Sequence, residues 1–311
     1  MKMKKKILVI GSLNVDMVIE MKNMPLVGET VLGTQLTYIP GGKGANQACA
    51  VGKLGGDVKM LGCVGEDEFG DIQKDNLSAC GVDTSYFKRS KTKKTGTASI
   101  YVDERGNNSI VVVAGANQEC DISYLREHDD IIKECDYVIL QMEIPYDAIF
   151  YAVNRAKELG KTVILNPAPA PEKLPDEILA KLDYITPNET ELMKLCGRDG
   201  AQIDDFIEGA KMLLQKGVKN VLVTLGERGA LLVNANMAEV FPTRKVVSVD
   251  TTAAGDCFNG AFAVALAEGR SQKEAIVFAN VSSSIAVTRN GAQTSIPRRE
   301  ETDELLKNMD I

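Results

Sequence analysis

The run Val246-Val247-Ser248-Val249-Asp250-Thr251-Thr252-Ala253-Ala254-Gly255-Asp256-Cys257-Phe258-Asn259-Gly260-Ala261-Phe262 decides how the rest of the chain is read. The three valines among its first four residues suit a buried strand. Cys257, Phe258, Ala261, Phe262, Ala265 and Leu266 recur at helical spacing, with Ala263 and Val264 between them, which predicts a buried helix that is apolar nearly all round. Between strand and helix lie small residues, Gly255 and the carboxylates Asp250 and Asp256. Small residues let backbone approach a ligand, and the first N–H groups of a helix lack internal partners and favour negative charge. The Ala253-Ala254-Gly255 turn is therefore expected to cradle an anion. Asp256 would repel that anion unless it has a task of its own, such as accepting a proton. The plain alternative is a favourable charge in the first helical turn.

With 311 residues, 44% hydrophobic and 25% charged, the chain has the composition of a globular protein, either one large α/β domain or two small ones. The net charge of -7 and the pI near 5.1 argue against a nucleic-acid partner. They do not exclude a nucleotide, because a local cradle outweighs net charge at a site. Lys2, Lys4, Lys5 and Lys6 resemble the start of a signal peptide, but the apolar run Ile7–Ile10 is soon broken by Gly11, Asn14 and Asp16. No run approaches membrane-spanning length, and a cytoplasmic location is expected. Seven scattered cysteines without a C-x-x-C pair point to small core residues rather than zinc ligands or a disulfide framework. His128 is the one histidine, in a polar helical patch, so a Ser-His-Asp or zinc-histidine enzyme is not expected.

Ile7–Ile10 predicts a buried first strand, with Asn14 and Asp16 just beyond its carboxyl end, where open α/β sheets bind ligands. An Asx-turn is the bland reading of that pair. From Val58 onward strands and helices alternate: strand Val58–Val64, helix Asp67–Cys80, strand Tyr137–Gln141, helix Pro145–Leu159, strands Thr162–Leu165 and Tyr184–Thr186, helix Ile203–Lys216, strand Val221–Leu225 and helix Ala275–Val287. Such alternation predicts a mostly parallel sheet with helices on both faces. Two stretches stand apart. Residues 17–40 are rich in β-formers, and residues 97–113 carry a hairpin signal around Asp103-Glu104-Arg105-Gly106-Asn107-Asn108. Together they predict a small β-sheet lid on a single domain spanning 1–311. Too apolar to stand alone, the lid is expected to form a homodimer, with Ile100, Val111 and Val113 in the contact. A second glycine-rich run, Gly41-Gly42-Lys43-Gly44-Ala45-Asn46-Gln47-Ala48, opens a helix and is not a P-loop.

Asp250-Thr251-Thr252-Ala253-Ala254-Gly255-Asp256 resembles the carboxy-terminal signature of the ribokinase, or phosphofructokinase-B type, sugar kinases. Gly41–Ala48 resembles their amino-terminal signature. The resemblance covers essentially the whole chain and implies a ribokinase-like α/β fold and ATP-dependent phosphorylation of D-ribose at its 5-hydroxyl. It implies Asp256 as general base, with the backbone of Ala253, Ala254, Gly255 and Asp256 as anion hole. Asn14, Asp16, Gly42, Lys43, Gly44, Asn46 and Glu143 are implied to bind the sugar. Thr224, Gly226, Glu227, Arg228 and Gly229, with Asn188, Gly255 and Asn280, are implied to bind ATP. Asn188 and Glu191 fall on the family's Asn-x-x-Glu motif, which organises Mg²⁺ largely through water; Asn188 is also a good N-cap. Asp250, Thr252, Ala286, Arg289, Gly291 and Ser295 are implied to enclose a monovalent cation, usually K⁺. Cys257 departs from the family, where Thr is common. The alternatives are a kinase for another small sugar or nucleoside, and a non-catalytic sugar- or nucleotide-binding regulator on the same fold.

Overall fold

Leu8, Val9 and Ile10 are fully buried, as a strand covered by helices on both faces must be. They belong to β1 (Lys6–Ile10). The computed structural model describes residues 5–308; Lys2 and Lys4 of the basic start and the chain end at Ile311 lie outside them. After β1 come β2 (Asn14–Met21), β3 (Gly33–Gly41), α1 (Lys43–Lys53), β4 (Asp57–Leu61), β5 (Cys63–Gly65), α2 (Glu68–Ala79), β6 (Lys88–Ser90), β7 (Gly96–Asp103) and β8 (Asn108–Val113). The middle of the chain forms α3 (Ile122–Glu127), α4 (Asp129–Glu134), β9 (Tyr137–Leu140), α5 (Tyr146–Glu158), β10 (Thr162–Leu165), α6 (Asp176–Leu179), β11 (Tyr184–Ile185) and α7 (Glu189–Cys196). It ends with α8 (Ile203–Gln215), β12 (Asn220–Thr224), β13 (Ala230–Asn234), β14 (Ala238–Phe241), α9 (Ala254–Ala267), α10 (Gln272–Ala286) and α11 (Arg299–Lys307).

The main sheet has the order β14-β13-β12-β11-β10-β9-β1-β4. It is parallel from β4 to β12, and β13 and β14 add antiparallel at one edge. Alternate strand residues feed two cores: Leu8, Val138, Leu140, Val163 and Leu165 pack on one face, Ile7, Val9, Ile139 and Ile164 on the other. Most of the alternating elements expected from the sequence appear within a residue or two of their expected ends. Two expectations fail. Val58–Val64 is not one strand: it breaks at Gly62, whose N–H goes to the Tyr124 hydroxyl (3.1 Å), and β5 leaves to pair with β6. Val246–Val249 is not a buried strand. It is an exposed loop, with Val247 at 85% and Val249 at 57% exposure. Among the described residues no strand pairs with these valines, and the Val249 N–H goes instead to the Val287 carbonyl (2.7 Å).

The smaller sheet has the order β3-β2-β7-β8. Its β7–β8 hairpin closes as expected, with Asp103 Oδ1 accepting from the N–H groups of Arg105 and Asn107, both at 2.9 Å. Directly paired residues share a face and successive residues alternate. Asp16 pairs with Ala98 and Ala98 with Val112, while Val18 pairs with Ile100 and Ile100 with Ile110. Ile100 thus lies on the face of Asp16, whereas Val111 and Val113 lie on the opposite one, together with Tyr38. The expected contact of Ile100, Val111 and Val113 therefore cannot use a single face of the sheet.

Candidate active site

The first turn of α9 is built by Ala253, which adopts φ 59° and ψ 11°, the one non-glycine residue with positive φ among those described. Its carbonyl accepts the Cys257 N–H (2.8 Å), and the Ala254 N–H goes to the Thr251 carbonyl (3.2 Å). The Ala254 carbonyl accepts Ser283 Oγ (2.9 Å) and the Gly255 carbonyl accepts Asn259 Nδ2 (2.8 Å). In a planar trans peptide the next N–H points opposite to its carbonyl. These two bonds therefore aim the N–H groups of Gly255 and Asp256 away from the helix. Among the described residues neither has a partner. Of the four residues expected to hold an anion, only Ala254 has its N–H engaged; the Ala253 N–H is likewise without a partner among the described residues.

The buried Asp256 side chain turns toward α1. Asn46 Nδ2 donates to Oδ2 and Gln47 Nε2 to Oδ1, each at 2.9 Å. Asn46 Oδ1 is buried without a partner among the described residues, an acceptor suited to a hydroxyl donor. Helix α1 reaches this position because Gly44 lies against the backbone after β1, where a Cβ would stand 2.6 Å from the Gly11 carbonyl carbon. Gly42 is the N-cap of α1. Glu143 Oε2 accepts from the Lys43 N–H (3.1 Å) and Ser12 Oγ (2.6 Å). Asn14 is buried, and its Oδ1 accepts from Asn117 Nδ2 (2.7 Å). Burial opposes charge on the Lys43 ammonium, yet Asp256, Glu143, Glu191 and Asp16 together hold its pKa above the usual lysine value. Burial pushes the Asp16 carboxyl up to about 6; Glu143 adds to the rise, Lys43 counters it and Asp256 adds a little more. The residues implied to bind sugar thus form one polar group around Lys43 and Asp256.

Asn188, Thr224, Gly226, Glu227, Arg228, Gly229, Gly255 and Asn280 all line one cavity of about 890 Å³ on the other side of the α9 turn. Ala254 and Ser283 also line it, as do Arg244 and Lys245, two cations the sequence reading passed over. Asn280 shapes the rim by donating to the Phe241 carbonyl (2.9 Å). Arg228 pairs with Glu189. Asn188 and Glu191 form a capping box on α7: Asn188 Oδ1 accepts the Glu191 N–H (2.8 Å) and Glu191 Oε2 accepts the Asn188 N–H (2.9 Å). Burial pushes the Glu191 carboxyl up; the Asn188 bond and Lys43 counter this, and Asp256 adds to it. Both side chains are thus tied into the cap.

Behind the turn, Asp250 Oδ1 accepts the Thr252 N–H (2.8 Å) and Oδ2 the Gly291 N–H (2.9 Å). Burial opposes its charge, but these bonds hold its pKa below the usual value. Lys53, at the end of α1, donates to the carbonyls of Gln293 (2.7 Å) and Ile296 (3.0 Å), so the Arg289–Ile296 loop already turns carbonyls toward a cation. The Arg289 side chain pairs with Glu301, and Ser295 Oγ donates to the Ala292 carbonyl (2.8 Å). The side chains of Arg289 and Ser295 are thus already engaged.

The sequence reading missed Ser12, Gln47, Asn166, Thr186, Asn259 and Ser283. Asn166 and Thr186 each directly follow an apolar strand, the same signal that marked Asn14 and Glu143.

Residues 4–299 match the pfkB family carbohydrate kinase model, and the chain belongs to that family of sugar kinases. It is 39% identical over 305 residues to a ribokinase of Haemophilus influenzae, covering 98% of this chain and 99% of that one. A deoxyribokinase of Salmonella typhi is 36% identical over 300 residues, covering 96% and 98%. The structure of Arabidopsis thaliana ribokinase complexed with ribose and ATP superposes with a TM-score of 0.93 at 33% identity, covering 98% of this chain and 99% of that one.

Asp16 gives a test of the charge balance. Its folded pKa lies above that of the unfolded chain, so the folded state keeps a proton the unfolded state has lost, and stability falls as pH rises from about 4 to about 6. Asp16→Asn should stabilise the ligand-free protein above that window by on the order of 1 kcal/mol after discounting for partial exposure, read as a raised melting temperature. At acid pH the variant and wild type should melt alike. Thermal melts across pH check this; an unchanged melting temperature at neutral pH would remove Asp16 from the strained cluster.

Proposed function

We propose that the chain transfers the γ-phosphoryl group of ATP to the 5-hydroxyl of D-ribose, giving ribose 5-phosphate and ADP, in the cytoplasm. The observation that carries this reading is the single α9 turn that faces both ways. Gly255 lines the 890 Å³ cavity, while the next residue, Asp256, is held among the sugar-side residues by Asn46 and Gln47. A base on one side of an anion-binding backbone is what in-line transfer from a nucleotide to a hydroxyl requires.

In this mechanism Asn14, Asp16, Gly42, Lys43, Gly44, Asn46 and Glu143 orient the sugar. Asp256 takes the proton of the attacking hydroxyl, and the open N–H groups of Gly255 and Asp256 hold charge developing on the transferred group. Asn188, Thr224 and the Gly226–Gly229 turn seat the nucleotide, with Arg244 and Lys245 near its anionic tail. Magnesium bound with the triphosphate, organised through Asn188 and Glu191, would neutralise phosphate charge. A K⁺ ion between the Asp250–Thr252 segment and the Arg289–Ser295 loop would stiffen the turn from behind without touching substrate.

A second copy of this chain is proposed to cover the small sheet. Its edge strands β3 and β8 expose Leu36 (49%), Tyr38 (48%), Val111 (58%) and Val113 (58%), and a twofold contact uses such a patch twice.

Three experiments test these statements. In a coupled ADP-release assay with ribose, Asp256→Asn should lose about two to four orders of magnitude in turnover while still binding ribose and ATP. Near-normal turnover would rule Asp256 out as the base, and a panel of sugars in the same assay ranks ribose against its rivals. The wild-type rate should rise when K⁺ replaces Na⁺ at fixed ionic strength; equal rates would remove the cation from the mechanism. Sedimentation should give a dimer at micromolar concentration, and Val111→Lys with Val113→Lys should give a monomer. A monomeric wild type ends the dimer proposal.

A further inference from the structure

Asp256 is fixed from two directions, and one buried chain of hydrogen bonds joins them. Starting at its carboxylate, Oδ1 accepts from Gln47 Nε2 (2.9 Å), and the same Nε2 donates to Asn166 Oδ1 (3.1 Å). Asn166 Nδ2 donates to the Thr186 carbonyl (2.8 Å), Thr186 Oγ1 to Asn259 Oδ1 (2.6 Å), and Asn259 Nδ2 to the Gly255 carbonyl (2.8 Å). That last carbonyl shares a peptide plane with the N–H of Asp256. The circuit begins on the side chain of Asp256 and ends on its own backbone.

Every orientation in the circuit is determined. The Thr186 and Gly255 carbonyls can only accept, so Asn166 and Asn259 must face them with nitrogen and present oxygen to their other partner. The Asp256 carboxylate and Asn166 Oδ1 can only accept, so Gln47 faces them with nitrogen, and its Oε1 accepts from Gln141 Nε2 (2.7 Å). Gln47, Gln141, Thr186 and Asn259 are at most 1% exposed, and Asn166 is 7%. Gln141, Asn166 and Thr186 follow the carboxyl ends of the adjacent strands β9, β10 and β11, so the circuit rests on three central strands of the main sheet. Leucine at any of them would suit the core better; a buried row of polar groups persists where it orders something that matters.

We propose that Gln47 is a positioning residue for the reaction. Through Asn166, Thr186 and Asn259 it locks the Asp256 carboxylate and the Asp256 N–H into one fixed relation, so that base and anion hole are aligned together. The inference rests on Asp256 acting as the base.

The test compares full-length wild type with Gln47→Met, which keeps length and removes both polar atoms. The expected result is a fall in kcat of about 10- to 100-fold, the scale of a misplaced catalytic group, with the KM values for ribose and ATP changed much less. Gln47→Glu supplies a readout that packing alone would not move. When protonated, its new carboxyl can still donate to Asp256; when ionised it opposes Asp256 charge to charge. Its activity relative to wild type should therefore recover as pH falls from about 8 to about 6. Asn259→Asp removes the donor to Gly255 at the far end, and its effect on kcat should combine with that of Gln47→Met to less than the product of the two. If Gln47→Met does not fold, Gln47→Glu and Asn259→Asp decide.

Wild-type kcat in Gln47→Met, or in both of the other variants, overturns the proposal. So does a Gln47→Glu profile parallel to wild type. An active wild type together with a fully active Asp256→Asn would instead overturn the assignment of the base on which the proposal depends.

Discussion

An anion-binding helix start that carries its own carboxylate is an electrostatic contradiction, and the geometry of this molecule is arranged to hold it. The α9 turn separates the two charges by direction: the open N–H groups of Gly255 and Asp256 point out of the helix, and the Asp256 side chain points to α1. The separation needs α1 very near. Gly260 makes this possible, since a Cβ there would come within 2.5 Å of Ala50 Cβ on α1. The apolar surface of α9 is what lets two helices lie so close under the sheet, and Asn46 and Gln47 reach Asp256 only at that distance.

The sugar-side group follows the same logic with more charge. Asp16, Glu143, Glu191 and Asp256 surround Lys43, an excess of negative charge in partly buried surroundings. Burial disfavours each of those charges unless donors arrive. A polyol brings donors without bringing charge, whereas an anionic substrate would add to the repulsion. The cavity on the other side of the turn is lined by Arg244 and Lys245 as well as by the Arg228–Glu189 pair and Glu227, so its charge is mixed rather than predominantly acidic. Under the proposed function, the sugar-side group would favour a neutral acceptor, and the two cations with no carboxylate paired to them among the described residues would favour an anionic donor on the other side of the turn.

Much of this was legible in the sequence because it is local. The parallel core declared itself through apolar runs spaced by helical ones, and the small residues before α9 and the glycines before α1 marked both helix starts in contiguous residues. What was not legible acts across long separations. Gln47, Asn166 and Thr186 touch Asp256 or its support only after the strands are laid side by side: Asn166 and Thr186 carry the strand-end signal and Gln47 lies in the glycine-rich run, but nothing local ties any of them to Asp256. The valines at 246–249 misled for a related reason. Their local preference for a strand is real, but whether a strand forms depends on a partner, and here the Val249 N–H bonds to the Val287 carbonyl instead of to a strand. The added antiparallel pair β13 and β14 was missed because its short segments carry no helix between them.

Strand β2 starts on Asn14 and passes through Asp16 before it becomes part of the small sheet. Gln73, on α2, grips both roots of that sheet by donating to the carbonyls of Asn14 and of Gly41 (3.0 Å). The cover and two of the groups beneath it are consequently one rigid piece of chain. Under the proposed function, a swing of the sheet about its roots would displace the Asp16 carboxylate with it, and enclosing the sugar and completing its ligand set would be the same movement.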